Sequence, residues 1–177
     1  MRFCSVVLVL VAVVAASAVT AQAPASGPPT ANLAQLMRAI LFPNSNIIFN
    51  VQGQDPAEPK PVYEQGSGGF SWVDWGAGIY TGWEVVENAG IALEEVTDLV
   101  IKPGRVCTNG NPVPLEQADF VAGIGRLRAV ARDVQAAARA EDREQVIELT
   151  TRLAEACYRC HQVHRIAPPG GENRCVP

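Results

Sequence analysis

The chain has 177 residues, 48% of them hydrophobic and only 6% aromatic, with 14 Lys and Arg against 18 Asp and Glu for a formal charge of −4. That length allows one domain with a real core. An acidic chain whose basic residues are not clustered argues against nucleic acid and against an anionic membrane surface as partners.

Residues 1–21 read as an export signal. Arg2 supplies the charged start, Val6 to Val14 is an almost unbroken apolar run, and small residues lead to a cleavage point after Ala21. The alternative is an uncleaved anchor, but the apolar stretch is short of the roughly 20 residues a span needs. Cys4 lies before the apolar run and leaves with the signal. Without Arg2 the remaining chain has 13 basic and 18 acidic side chains, a charge of −5, and Lys60 and Lys102 are its only lysines. Residues 22–29 (Q-A-P-A-S-G-P-P) are a flexible leader, too small and proline-rich to pack. The folded domain is expected over residues 30–177.

A first helix is predicted from a cap at Thr30 to Asn32, with Leu33, Leu36, Met37 and Ile40 on one face, and a stop or kink at Pro43. Residues 44–52 have apolar content without a clear period and fit either a helix or an extended segment. From Gly53 to Gly82 helical periodicity is absent. Tyr63, Phe70, Trp72, Trp75 and Tyr80 concentrate there, either covering a cofactor edge or docking surface or packing the loop onto the helices. A second helix is predicted over 83–101. Trp83, Val86, Gly90, Leu93 and Val100 form one inward stripe, and Ala89, Ala92, Val96 and Leu99 a neighbouring one. A turn-rich loop carries Cys107. A third helix follows over 115–140, where Phe120, Ile124, Leu127, Ala131, Val134 and Ala138 recur in a seven-residue repeat suited to a bundle seam. Arg126, Arg128, Arg132 and Arg139 are expected on its solvated side. A fourth helix starts near Asp142, and Val146, Leu149, Leu153, Ala156 and Cys160 continue the three-four spacing.

That last helix carries Cys157-Tyr158-Arg159-Cys160-His161, the C-x-x-C-H pattern of covalent haem c attachment. Two thiols add to the two vinyl groups of one porphyrin, and the next residue offers an imidazole to the iron. Positions i, i+3 and i+4 share one helix face, so Cys157, Cys160 and His161 can address one cofactor. Given five Cys and two His, chance produces this pattern in roughly one or two chains of this length in a thousand. A surface dithiol, or a zinc site completed by His164 and Cys175, are the other chemistries open to these residues. Since an exported chain meets an oxidising compartment, the two cysteines left over, Cys107 and Cys175, are expected to pair. Such a bond is worth about 4 kcal/mol on the chain-entropy account; free or zinc-bound thiols are the alternative.

An exported helical chain with one C-x-x-C-H on its last helix resembles the class II c-type cytochromes, the cytochrome c′ group. The resemblance covers all four predicted helices and is most specific at C-Y-R-C-H-Q-V-H-R, which is similar to the family's C-x-x-C-H-x-x-[FY]-[RK]. It implies an all-α, antiparallel four-helix bundle, with thioethers at Cys157 and Cys160 and His161 as proximal ligand to the iron. It further implies Arg165 in the haem pocket, and a distal side lined by the first helix, where L-M-R-A-I-L places Met37 as the one Met able to ligate. Six-coordinate members use such a Met and transfer electrons, whereas five-coordinate members bind small gases. Met37 as core filler is the plain alternative. His164 stands where the family has an aromatic, and the long aromatic insert, Pro43 and the Cys107 and Cys175 pair are departures that set this chain apart.

The expected function is therefore that of a periplasmic one-electron carrier with redox proteins as partners, the family's homodimer as a further partner, and no stable membrane insertion after cleavage. A gas-binding haem protein is the runner-up. An enzyme is not expected, because both His lie at the haem motif and Glu94-Glu95 read as a solvated face.

Overall fold

The computed structural model describes residues 27–58 and 80–165. Four helices and no strand occur among them, with one isolated bridge between Val106 and Pro112. The predicted export signal, most of the predicted leader, Tyr63, Phe70, Trp72, Trp75 and Cys175 lie outside the described residues. No helix among the described residues is long and apolar enough to cross a membrane.

Helix α1 passes through three registers: α over Leu33–Leu36, π over Met37–Leu41 and α again over Phe42–Asn50. Asn32 and Gln35 close its start as a capping box. The Asn32 side chain accepts from the Gln35 N–H at 2.8 Å, and the Gln35 side chain accepts from the Asn32 N–H at 2.8 Å. Of the stop or kink expected at Pro43, the stop does not occur, since the helix continues to Asn50. Proline crowds the carbonyl one turn back and brings no N–H, but the turn before it is already widened to π register, where the Phe42 N–H donates to the Met37 carbonyl. Side-chain amides serve carbonyls in this stretch, Asn44 Nδ2 donating to Ile40 and Asn46 Nδ2 to Phe42, each at 2.7 Å. The wider turn also rotates the inward face, so Leu41 is buried while Ile40 and Met37 are half-buried. The undecided segment after Pro43 resolves as helix, with Ile47 and Ile48 buried.

Helix α2 spans Gly82–Val100 behind a second capping box, Thr81 with Glu84. Glycine is required at its first position, because a Cβ on Gly82 would fall 2.2 Å from the Pro56 carbonyl oxygen. The two inward stripes are buried as the periodicity predicts, except that Ala92 is half-buried and Leu99 is 41% exposed. Below α2, Arg105 is buried. Its guanidinium donates to the Leu99 carbonyl at 2.6 Å and to the Ala31 carbonyl. One side chain thus caps the end of α2 and ties down the entry to α1, where Leu33 N–H donates to Val106 O at 2.8 Å. Cys107, next along, is buried and disulfide-bonded. Cys157 and Cys160 are free, so its partner lies outside the described residues.

Helix α3 spans Ala118–Arg139 and α4 spans Arg143–His164. The turn between them is tight, with Glu141 in the left-handed region (φ 53°) and Asp142 capping α4 by accepting from the Gln145 N–H at 3.0 Å. All six residues of the α3 repeat are buried, as are Val146, Leu149, Leu153 and Ala156 of α4. The α3 arginines lie mostly on its solvated side, as expected, with the Arg132 and Arg139 side chains 63% and 57% exposed; from there Arg128, Arg132 and Arg139 reach across to Asp98, Glu94 and Glu87 of α2. Falling numbers on α3 meet rising numbers on α2. The same holds between α3 and α4, where Asp133 pairs with Arg152 at 2.8 Å and Asp119 stands by His164. On the remaining side, Gln52 Nε2 donates to Thr150 Oγ1 at 2.9 Å, and Arg143 donates to the Val51 carbonyl.

Candidate cofactor site on the last helix

Cys157, Cys160 and His161 occupy the last two turns of α4, and all three are half-buried. Cys157 packs against the apolar core, whereas Tyr158 between the cysteines is 63% exposed. His161 lies about five full turns beyond Arg143, so it leaves α4 on the same side. That side faces α1, because Arg143 reaches the Val51 carbonyl. Among the described residues, α1 meets α4 through its Phe42–Asn50 half, while the Met37–Leu41 turn packs on α2 and has no comparable contact with α4. The motif lies at the other end of α4 from Arg143, which meets the Val51 end of α1.

Burial first, and the neighbouring Cys160 second, push the Cys157 thiol up. Burial likewise raises Cys160, with the Arg126 charge opposing and Asp119 adding to it. Burial, then the charge on Arg165, pull the His161 imidazole down. At neutral pH the site therefore offers two protonated thiols and one neutral imidazole, and a neutral imidazole is the form that binds a metal. A reactive dithiol needs the reverse. It sits at a helix N-terminus or beside cations that lower its pKa, and this motif lies at the negative end of the α4 dipole.

His164, which a zinc site would recruit, is instead turned into α3. It is 6% exposed and its ring stands edge-on to Phe120, with centroids 5.1 Å apart and planes at 87°. Its Nε2 lies 3.2 Å from Asp119 Oδ2, inside ion-pair range, yet neither ring nitrogen makes a hydrogen bond of good geometry. Angle matters more than separation for such a bond, so the contact is proximity rather than a formed bond. No group of three or more His, Cys, Asp or Glu among the described residues is placed to hold a metal ion. Arg165 is exposed just after α4 and bears on His161 through its charge. Of the aromatic insert only Tyr80 is described, and it is 52% exposed.

The site expected from the sequence included no residue of α3. Asp119, Gly123 and Arg126 fall at i, i+4 and i+7 on α3, and a Cβ on Gly123 would have both Arg126 Nη2 and the Cys160 side chain within 4 Å. Pairing α3 with α4 in opposite directions across their tight turn was the signal that could have found them.

Comparison with protein-family models, with curated proteins and with solved structures gave no match.

Proposed function

We propose that the chain is a c-type cytochrome of the cytochrome c′ kind, an antiparallel four-helix bundle carrying one covalent haem. The opposed numbering across α2–α3 and α3–α4, together with the α1–α4 contact, supports the bundle reading. One observation carries the cofactor reading: free Cys157 and Cys160 and a neutral His161 lie half-buried within about one turn at the end of α4. This donor set suits haem. A porphyrin asks for two thiols and one imidazole from a single helix, whereas structural zinc asks for about four converging ligands.

Bound there, haem supplies reversible one-electron chemistry at its iron. Cys157 and Cys160 would fix its edge through thioethers, and His161 would hold the iron from the α4 side. Met37, half-buried on the widened turn of α1, is the residue that would approach from the opposite side. A π turn inserts one residue into a helix and re-aims the side chains around it, and such turns frequently mark functional sites. We take the function to be single-electron transfer between periplasmic proteins after export, without an enzymatic reaction of its own.

Spectra of the oxidised and reduced holoprotein test this. Met ligation gives a low-spin ferric haem that Met37→Ala converts to high spin with rapid carbon monoxide binding. A wild-type haem that is already high-spin and unaffected by Met37→Ala overturns Met-ligated electron transfer in favour of gas binding. Absence of a haem stain after denaturing electrophoresis overturns the haem reading itself.

A further inference from the structure

One buried titratable side chain has no part in the haem reading. His164 lies three residues beyond His161 on α4, with 4% of its side chain exposed, and neither ring nitrogen makes a hydrogen bond. Its ring stands edge-on to Phe120. A phenyl ring would fill that place and leave no polar atom unserved, so packing alone does not account for an imidazole there. Among the described residues Asp119 is the one acid within ion-pair range, its carboxylate 3.2 Å from Nε2. The Asp119 side chain is 52% exposed, so it joins the buried imidazole to water. Further along α3, Arg126 stands with Cys160 at Gly123. On α4 itself, Cys160 lies one turn back and the exposed Arg165 comes next.

Histidine is the side chain whose charge ordinarily changes between about pH 5 and 8. An imidazolium at this place would have the Asp119 carboxylate and the negative end of the α4 dipole beside it. Resting on the haem reading above, we infer that His164 is a proton site linked to the iron, protonated when the haem is reduced and deprotonated when it is oxidised. Reduction adds one electron from the redox partner to ferric iron. One proton enters from water past Asp119 onto Nε2, the nitrogen that faces it, so the charge of the site is unchanged. Oxidation returns both. The two charges are coupled because three residues separate His164 from His161 by only about 4.5 Å along the helix axis, and buried charges are little screened. The chain would thus carry a proton with its electron.

Potentiometry of the holoprotein between about pH 5 and 8 tests this. The reduced state holds the proton more tightly, so the wild-type midpoint should fall as pH rises. Within the linked window a tenfold change in proton concentration should move it by up to ~59 mV for one electron. His164→Phe, which keeps a ring against Phe120, should remove that slope while the haem stays covalent and its spectra unchanged. His164→Gln also removes the titrating group and covers the case where the phenylalanine variant folds poorly. A slope that persists in both variants, as a titrating propionate would give, overturns the inference and leaves the haem reading standing. So does a wild-type midpoint that does not move over this range. Wild-type protein without covalent haem overturns both.

Discussion

Burial in the last turns of α4 holds Cys157 and Cys160 as thiols and His161 as a neutral imidazole. The same shifts predict how stability of the haem-free chain depends on pH. His161 titrates lower folded than unfolded, so between its folded value and the ordinary 6.5 the unfolded chain binds more protons. Stability is then undiminished above 6.5 and is lost as pH falls below it. The thiols titrate higher folded than unfolded, so stability is undiminished below the ordinary 9.0 and is lost as pH rises past it. Urea midpoints of the haem-free chain should therefore be highest between these values. His161→Gln should flatten the limb just below 6.5 and leave the alkaline limb in place; an unchanged limb in that variant would show that burial does not act on His161. Glu94, held low first by Arg132 and then by Gln135, adds a separate loss only as pH falls below 4.5.

At the scale of elements, close backbone approaches set where the helices sit. Gly90 lets α2 lie against α3, since a Cβ there would come within 2.9 Å of the Gln135 side chain and 3.1 Å of the Ala131 carbonyl oxygen. Gly82 seats the start of α2 on Pro56, where the clash would be with backbone that cannot swing aside. Gly→Ala in an exposed helix stabilises by about 1 kcal/mol. Gly82→Ala should do the opposite, destabilising by roughly 1–3 kcal/mol as overpacked sites do. Denaturant unfolding reads the sign directly, and a stabilised variant would mean that the contact with Pro56 is not made. The π turn of α1 belongs to this scale too. It accommodates Pro43 and decides that Leu41, rather than Ile40, enters the core.

For the whole molecule, α1 is tied at its entry by Arg105 and the Val106 carbonyl and at its exit by Thr150 and Arg143. The end that carries the cofactor motif depends on the first of these ties and on the loop holding Cys107. That cysteine's disulfide should contribute roughly 2–5 kcal/mol, as native bonds in small exported domains do. Cys107→Ser and reduced wild type should unfold at the same, lowered denaturant concentration. A variant as stable as the oxidised wild type would show that the bond holds nothing in place. Peptide mapping of the oxidised chain identifies the partner, for which Cys175 is our expectation.

The sequence by itself determined the helices and the motif. Capping residues, the seven-residue repeat of α3 and the three-four spacing of α4 are local signals, and apart from the far end of α1 the helices begin and end within a few residues of the predicted positions. Cys157, Cys160 and His161 were legible because their chemistry needs a fixed spacing within one turn of helix. Only the tertiary structure decided what those helices do to one another. Pro43 reads locally as a stop, but a widened turn carries the helix past it. The α3 arginines read as solvated and are mostly exposed, but that three of them also pair with α2 was not legible. Arg126 could not be told from the others by periodicity, because what sets it apart is that it has no acidic partner among the described residues and that Cys160 lies across the α3–α4 contact. Such pairings join residues distant in sequence, and no local pattern records them.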